Sequence, residues 1–166
     1  MHLDIRDAGP EDAQGIVDVL NPIIEARIYT ALDAPFTAGE ERDYILSFPA
    51  RGVFHVAVSR PEDAIVGFQS MEPFATYTHA FDHVGVLGTY VDLRRRRQGI
   101  ATRLFEATFA AARQKGYEKI FTFVRGDNAA ALATYLAQGF QTVGTARRHA
   151  KIDGRYVDEI MIEKIL

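Results

Sequence analysis

Residues 91–105 read VDLRRRRQGIATRLF, in which four consecutive arginines, a glutamine and a glycine lead into a segment with apolar residues at helical spacing. The whole chain carries a net charge of -3, so this dense positive run answers a local need. Upstream, HVGVLGTYVD (83–92) has the composition of a strand; downstream, GIATRLFEATFAAARQKG (99–116) sets Ile100, Leu104, Thr108 and Ala111 on one helical face and stops at Gly116. The arginines therefore lie in a strand-to-helix loop. A helix start offers unpaired N–H groups and the positive end of the dipole, glycine lets an anion approach the backbone, and Arg96 and Arg97 add forked donors. The arrangement suits a phosphate or pyrophosphate; a solvated charge run is the alternative. Neither G-x-x-x-x-G-K-[ST] nor G-x-G-x-x-G occurs in the chain.

Working outward, HLDIRDA (2–8) alternates as a strand, and GPEDAQGIVDVLNPIIEARI (9–28) begins a helix at Pro10 with Ile16, Val19, Leu20, Ile23 and Ile24 apolar, interrupted near Pro22. Thr37 and Glu40 have the spacing of a capping box before a second helix. GVFHVAVSR and AIVGFQSMEP read as strands joined by a PED turn, YEKIFTFVRG as a buried strand, and NAAALATYLAQG as a short helix ending at Gly139. The C-terminal FQTVGTARRHAKIDGRYVDEIMIEKIL reads as a hairpin turning at Asp153-Gly154. No repeat or linker divides the chain, so residues 1–166 are expected to form one α/β domain with a mixed, mostly antiparallel sheet.

With 166 residues, 48% hydrophobic and 25% charged, the chain is long enough for a full core. No apolar run approaches the roughly 20 residues of a membrane span and the N-terminus has no leader pattern, which predicts a cytoplasmic protein without membrane contact. Cysteine is absent and the five histidines show no close helical pairing, so neither a thiolate site nor a metal is expected. The pI of about 5.9 argues against a nucleic-acid partner.

Arg96-Arg97-Gln98-Gly99-Ile100-Ala101 resembles the R/Q-x-x-G-x-G/A pyrophosphate loop of the GNAT superfamily of acetyl-CoA-dependent N-acetyltransferases, and VRGDNAAALATYLAQGF, about thirty residues on, resembles that family's strand, asparagine, tyrosine-bearing helix and Gly-Phe close. The N-terminal IRDAGPEDAQGI and the C-terminal RRHAKIDGRYVDEIMIEK resemble the phosphinothricin and L-amino-acid N-acetyltransferase branch. The resemblance implies the GNAT fold, a sheet of about seven strands with splayed central members and about four helices. It also implies acetyl-CoA, its pantetheine arm paired with the backbone of Thr89, Tyr90 and Val91 and its diphosphate on the amides of Arg97, Gln98, Gly99, Ile100, Ala101 and Thr102. Arg94 to Arg97 would reach the other phosphates. Asn128 would bond the pantetheine arm, although an asparagine there serves equally as a helix N-cap. Ala131 and Tyr135 share its helix face, with Leu132 and Leu136 on a neighbouring face suited to the core.

For the chemistry, the resemblance assigns Tyr135 to protonate the departing sulfur and a strand amide, with Val91 as the candidate, to meet the oxyanion. Gly85 and Gly88 fit a bulge that frees it, or equally tight packing. Val86 occupies the position where phosphinothricin-type relatives carry a glutamate, which leaves Glu72 and His83 as candidate bases, each able to act through water. Arg27, Tyr29, Phe36, Glu72, Phe74 and His149 are the candidate substrate contacts: Arg27 or His149 for a carboxylate, Glu25 and Glu72 for a cationic amine. The aromatic-rich MEPFATYTHAFDHV (71–84) is a candidate active-site loop or homodimer contact. The expected activity is acetyl transfer to the primary amine of a small molecule, an amino acid or an analogue such as phosphinothricin, methionine sulfoximine or methionine sulfone. Two other functions share these residues: acetylation of a protein or peptide N-terminus, and acyl-CoA sensing without catalysis.

Overall fold

The computed structural model describes residues 1–166. Its elements in chain order are β1 (His2–Asp7), α1 (Ala13–Glu25), α2 (Ala38–Leu46), β2 (Val53–Arg60), β3 (Ala64–Pro73), β4 (Val84–Val91), α3 (Ile100–Gln114), β5 (Lys119–Arg125), α4 (Ala129–Ala137), β6 (Gln141–Ile152) and β7 (Arg155–Ile165). The strands form one seven-stranded sheet in the order β1-β2-β3-β4-β5-β7-β6, antiparallel except for β4 against β5. Helices cover both faces. On one, α3 and α4 enclose a core of Met71, Leu87, Phe105, Ile120, Tyr135 and Phe140; on the other, α1 packs Ile16, Leu20, Ile23 and Ile24 over Phe54, Val56 and Phe68. A strand covered on both sides reads as a continuous apolar run, which is why VFHVAV of β2 does not alternate.

Local signals act where the sequence placed them. The Thr37 hydroxyl accepts from Glu40 N at 3.1 Å while the Glu40 carboxylate accepts from Thr37 N at 2.8 Å, closing the capping box. Gly116 and Gly139 end α3 and α4 with φ of 88° each, and Asp153 and Gly154, at φ 50° and 77°, make the two-residue hairpin turn with both residues left-handed.

Three expectations are corrected. α1 runs unbroken through Pro22 to Glu25, because the exposed ring lies in the last turn and removes only one helical bond. On α4 Leu132 packs against the core as expected, but Leu136 is 44% exposed, and Tyr135, 7% exposed, enters the core instead. β4 carries no bulge: it pairs with β3 in unbroken register from Gly67↔Val91 to Pro73↔Gly85. Gly85 instead reflects close packing, since a Cβ there would lie 2.7 Å from the Met71 sulfur.

What sets the central strands apart is where they stop pairing. β4 and β5 are joined only at Val84↔Lys119, Gly85↔Ile120 and Val86↔Phe121, although both continue for several residues. The Thr122 hydroxyl then donates to Leu87 O at 2.6 Å, taking the carbonyl that the next rung would use. Beyond it the strands splay, each fully paired on its outer edge with β3 or β7.

Gly85→Val, which forces a branched side chain against the fully buried Met71, is expected to destabilise the fold by about 1–3 kcal/mol. A lower urea midpoint at unchanged slope would show it; an unchanged midpoint would mean that the core yields there.

Candidate active site

The splay leaves a slit through the sheet, and strand parity decides what lines it. Asp92 N donates to Val66 O and Phe74 N to Val84 O, so the even residues of β4 bond β3 and the odd ones, Leu87, Thr89 and Val91, turn their N–H and C=O groups toward β5. With Leu87 O taken by Thr122, the backbone of Thr89 and Val91 faces an opening in which β5 offers no ladder partner. Unpaired backbone groups of this kind call for a ligand or water.

At the wide end of the slit the arginine loop enters α3. Arg97 (φ 59°) and Gly99 (φ 77°) are both left-handed, Gly99 is the N-cap without any side-chain cap, and nothing lies within 4 Å of where its Cβ would stand. The first-turn amides of Ile100, Ala101 and Thr102 have no helical acceptor, so they and the dipole face open space ready for an anion. Arg96 and Arg97 are exposed beside it, with the Arg96 guanidinium 4.2 Å over the Tyr29 ring. Arg94 is committed elsewhere, gripping Asp92 through Nε (3.1 Å) and Nη2 (2.8 Å), so the whole run does not converge on the loop.

Side chains flank the slit on opposite faces of the sheet. On the α3/α4 face, Tyr135 Oη donates to Thr89 Oγ1 at 2.9 Å and Gln69 Nε2 donates to the same oxygen at 3.0 Å. Burial raises the Tyr135 pKa well above 10, its bond to Thr89 opposing only part of that, so the phenol keeps its proton at neutral pH. On the α1/α2 face, Glu72 of β3 stands directly across from Val86 of β4. Opposed residues have Cβ atoms about 4.5–5.5 Å apart, so Glu72 brings its carboxylate to the position beside Val86 from the neighbouring strand. It accepts a hydrogen bond from the Tyr44 hydroxyl of α2. Tyr90, stacked on Phe68 at 4.9 Å, lies over Gly88 between Glu72 and the loop.

A protonated phenol on one face, a carboxylate on the other, and a slit between them that ends at an uncapped helix start can together receive an extended polar ligand with an anionic end. The sequence relations agree. The acetyltransferase (GNAT) family model matches residues 24–140. This chain belongs to the GNAT acetyltransferase family.

Among its relatives, the phosphinothricin N-acetyltransferase of Streptomyces coelicolor is 25% identical over 99% of this chain and 96% of its own length. The L-methionine sulfoximine/L-methionine sulfone acetyltransferase of Pseudomonas paraeruginosa is 22% identical over 95% of this chain and 91% of its own. The crystal structure of a GNAT phosphinothricin acetyltransferase from Sinorhizobium meliloti in complex with acetyl-CoA superposes with a TM-score of 0.90 at 19% identity, covering all of this chain and 89% of that one, which shows a shared fold.

Within this GNAT domain the other sequence-derived candidates are placed unevenly. Asn128 caps α4, its Oδ1 accepting from Ala131 N at 3.1 Å, while its Nδ2 donates to Tyr29 O at 3.1 Å. Arg27 turns to Asp33 O and to Asp153 (3.6 Å), so it is engaged by its own loop and the hairpin turn. Phe36 is fixed through its backbone by both ends of the Asn21 amide and packs into the α1 core. Phe74 meets Phe81 and Phe121 edge-on, and His149 stacks on Phe123 at 5.8 Å. His83 is exposed at the closed end of the slit, its carbonyl receiving Glu118 N and Lys119 N, and it does not join the cluster around Glu72.

Sequence reading did not single out Gln69, Glu41, Tyr44, Thr122 or Arg125. Gln69 is a fully buried amide inside the apolar run AIVGFQSM, a signal in itself. Arg125 sends Nη1 to the carbonyls of Arg27 (2.9 Å) and Thr30 (3.0 Å) and grips Asp127 with Nε and Nη2, strapping the segment after α1 across the slit.

Tyr135 and Tyr44 both have pKa values raised by burial. The unfolded chain therefore ionises these phenols first, and the stability they carry, fully present below pH about 10, is lost as the pH rises beyond it. Chemical denaturation from pH 8 to 11.5 is expected to show stability falling above pH 10, less steeply in Tyr135→Phe. Equal slopes in the two proteins would contradict the buried, protonated phenol.

Proposed function

We propose that this enzyme transfers the acetyl group of acetyl-CoA directly to the primary amine of a small molecule, amino acids and their analogues being the first class to test. The observation that carries the reading is the slit: free backbone groups at Thr89 and Val91, ending on the free amides of α3, match an extended amide-bearing arm tipped by a diphosphate. Bound acetyl-CoA supplies a thioester, activated toward amines and needing no enzyme-bound acyl group.

The residues divide the remaining work. Thr89 and Val91 pair with the arm, the amides of Arg97 to Thr102 hold the diphosphate, and Arg96 and Arg97 add charge. The Val91 N–H faces the slit and offers a hydrogen bond to the thioester oxygen as charge builds there. Glu72, directly or through water, takes the proton from the amine as its nitrogen bonds the acetyl carbon. As the C–S bond breaks, Tyr135 gives its proton to the sulfur and recovers one from solvent. The balance is an ammonium and a thioester converted to an amide, a thiol and a released proton. The sheet keeps base and acid apart, with Glu72 on the α1/α2 side and Tyr135 on the α3/α4 side. The full-length relationship to phosphinothricin and methionine sulfoximine acetyltransferases supports small amines as acceptors. The exposed rings of Phe74 and Tyr77 support a homodimer contact, and a cytoplasmic setting fits the same reading.

Thiol release from acetyl-CoA with a panel of amino acids, their sulfoximine and phosphinate analogues, and short peptides tests this directly. Turnover with one amine class is expected, and Tyr135→Phe should lower kcat by about 10²–10⁴-fold. Unchanged kcat in that variant would remove Tyr135 from the chemistry, and turnover of peptides alone would redirect the acceptor assignment to polypeptide N-termini.

A further inference from the structure

The α1/α2 side of the slit carries more negative charge than one base requires. Glu41 of α2 is 5% exposed and makes no side-chain hydrogen bond or ion pair. It lies one helical turn before Tyr44, so two carboxylates, Glu41 and Glu72, flank that one phenol. Glu41 is the buried residue of α2, so its side chain lies on the inner face of that helix, and its charge bears on the Tyr44 and Tyr90 hydroxyls. Glu159 of β7, 6% exposed, is likewise without a hydrogen-bond or ion-pair partner on this face. Its cross-strand neighbour Arg125 is spent on Asp127 and two carbonyls. Gln69 Oε1 is the only fully enclosed side-chain polar atom left without a partner, so the unpaired carboxylate oxygens of Glu41 and Glu159 still reach accessible space.

A desolvated carboxylate without a partner is unfavourable, and burial raises the Glu41 pKa accordingly. A cation delivered by the substrate would relieve it. Glu72 suffices for the reacting nitrogen, which leaves Glu41 for a second positive group. Arg125 and His149 offset part of the burial of Glu159, whereas no cation offsets that of Glu41. We propose that the preferred acceptor carries a second basic group, as a diamine or a basic amino acid does, with its reacting nitrogen beside Glu72 and its second ammonium against Glu41. The proposal rests on the acetyl-transfer reading above and not on the acceptors of the relatives.

Matched acceptors differing only in the second ammonium test it: 1,4-diaminobutane against butylamine, and ornithine against norvaline, with acetyl-CoA saturating. The basic member of each pair is expected to show kcat/KM at least tenfold higher. Glu41→Gln should shrink that ratio at least tenfold, chiefly by raising KM for the basic acceptor, with thermal unfolding confirming a folded variant. Equal kcat/KM within the pairs, or a preference that survives Glu41→Gln, would overturn the proposal while leaving acetyl transfer intact. Absence of turnover with every amine would overturn the acetyl-transfer reading itself, and the proposal with it.

Discussion

Everything at this site depends on two parallel strands that stop pairing too early. β4 and β5 share three rungs and then part, although each continues and is fully bonded on its other edge. Backbone groups left facing such a gap are costly unless something polar fills it. Closing the gap would restore the ladder, but Thr122 has already taken Leu87 O and Arg125 ties the crossing segment to the far strand. The fold thus holds open a slot shaped for an extended chain with amide groups of its own.

Because the gap cuts through the sheet, strand alternation distributes the chemistry. Odd residues of β4 face α3 and α4, where Thr89 meets Tyr135 and Gln69; even residues face α1 and α2, where Val86 is paired with Glu72. A one-residue slip of β3 against β4 would put the carboxylate on the wrong side. The unbroken register along this pair is what keeps the Glu72 carboxylate and the Tyr135 phenol on opposite faces of the sheet. It also sets the Glu72 carboxylate directly across from Val86, on the same face of the sheet.

Much of this was legible in the sequence, where local physics decides the outcome. The glycine stops, the capping box, the Asp-Gly turn and the apolar stripe of α3 act over a few residues, and each lies where it was read. Short or alanine-rich stretches were less legible. α4 offers too little contrast to orient itself, so Leu136, expected to suit the core, is exposed while Tyr135 is buried, and in β4 Gly85 serves packing and not a bulge. Long-range relations were illegible: the pairing of Glu72 with Val86, the strap held by Arg125, and the meeting of Glu41 with Tyr44 and Tyr90 depend on register and on which loop crosses the slit. Arg94, read with its neighbours as a phosphate ligand, is held by Asp92 two residues away, a local ion pair that charge counting does not distinguish from a free arginine.

The central claim is that the free backbone of β4 and the open start of α3 hold one continuous ligand. Amide-resolved hydrogen exchange with and without saturating coenzyme A tests it most directly. Slowed exchange is predicted at Thr89 and Val91 and at Ile100, Ala101 and Thr102 together, from the slit to the helix start. Binding that leaves these amides unchanged, or protects only the helix start, would contradict the account.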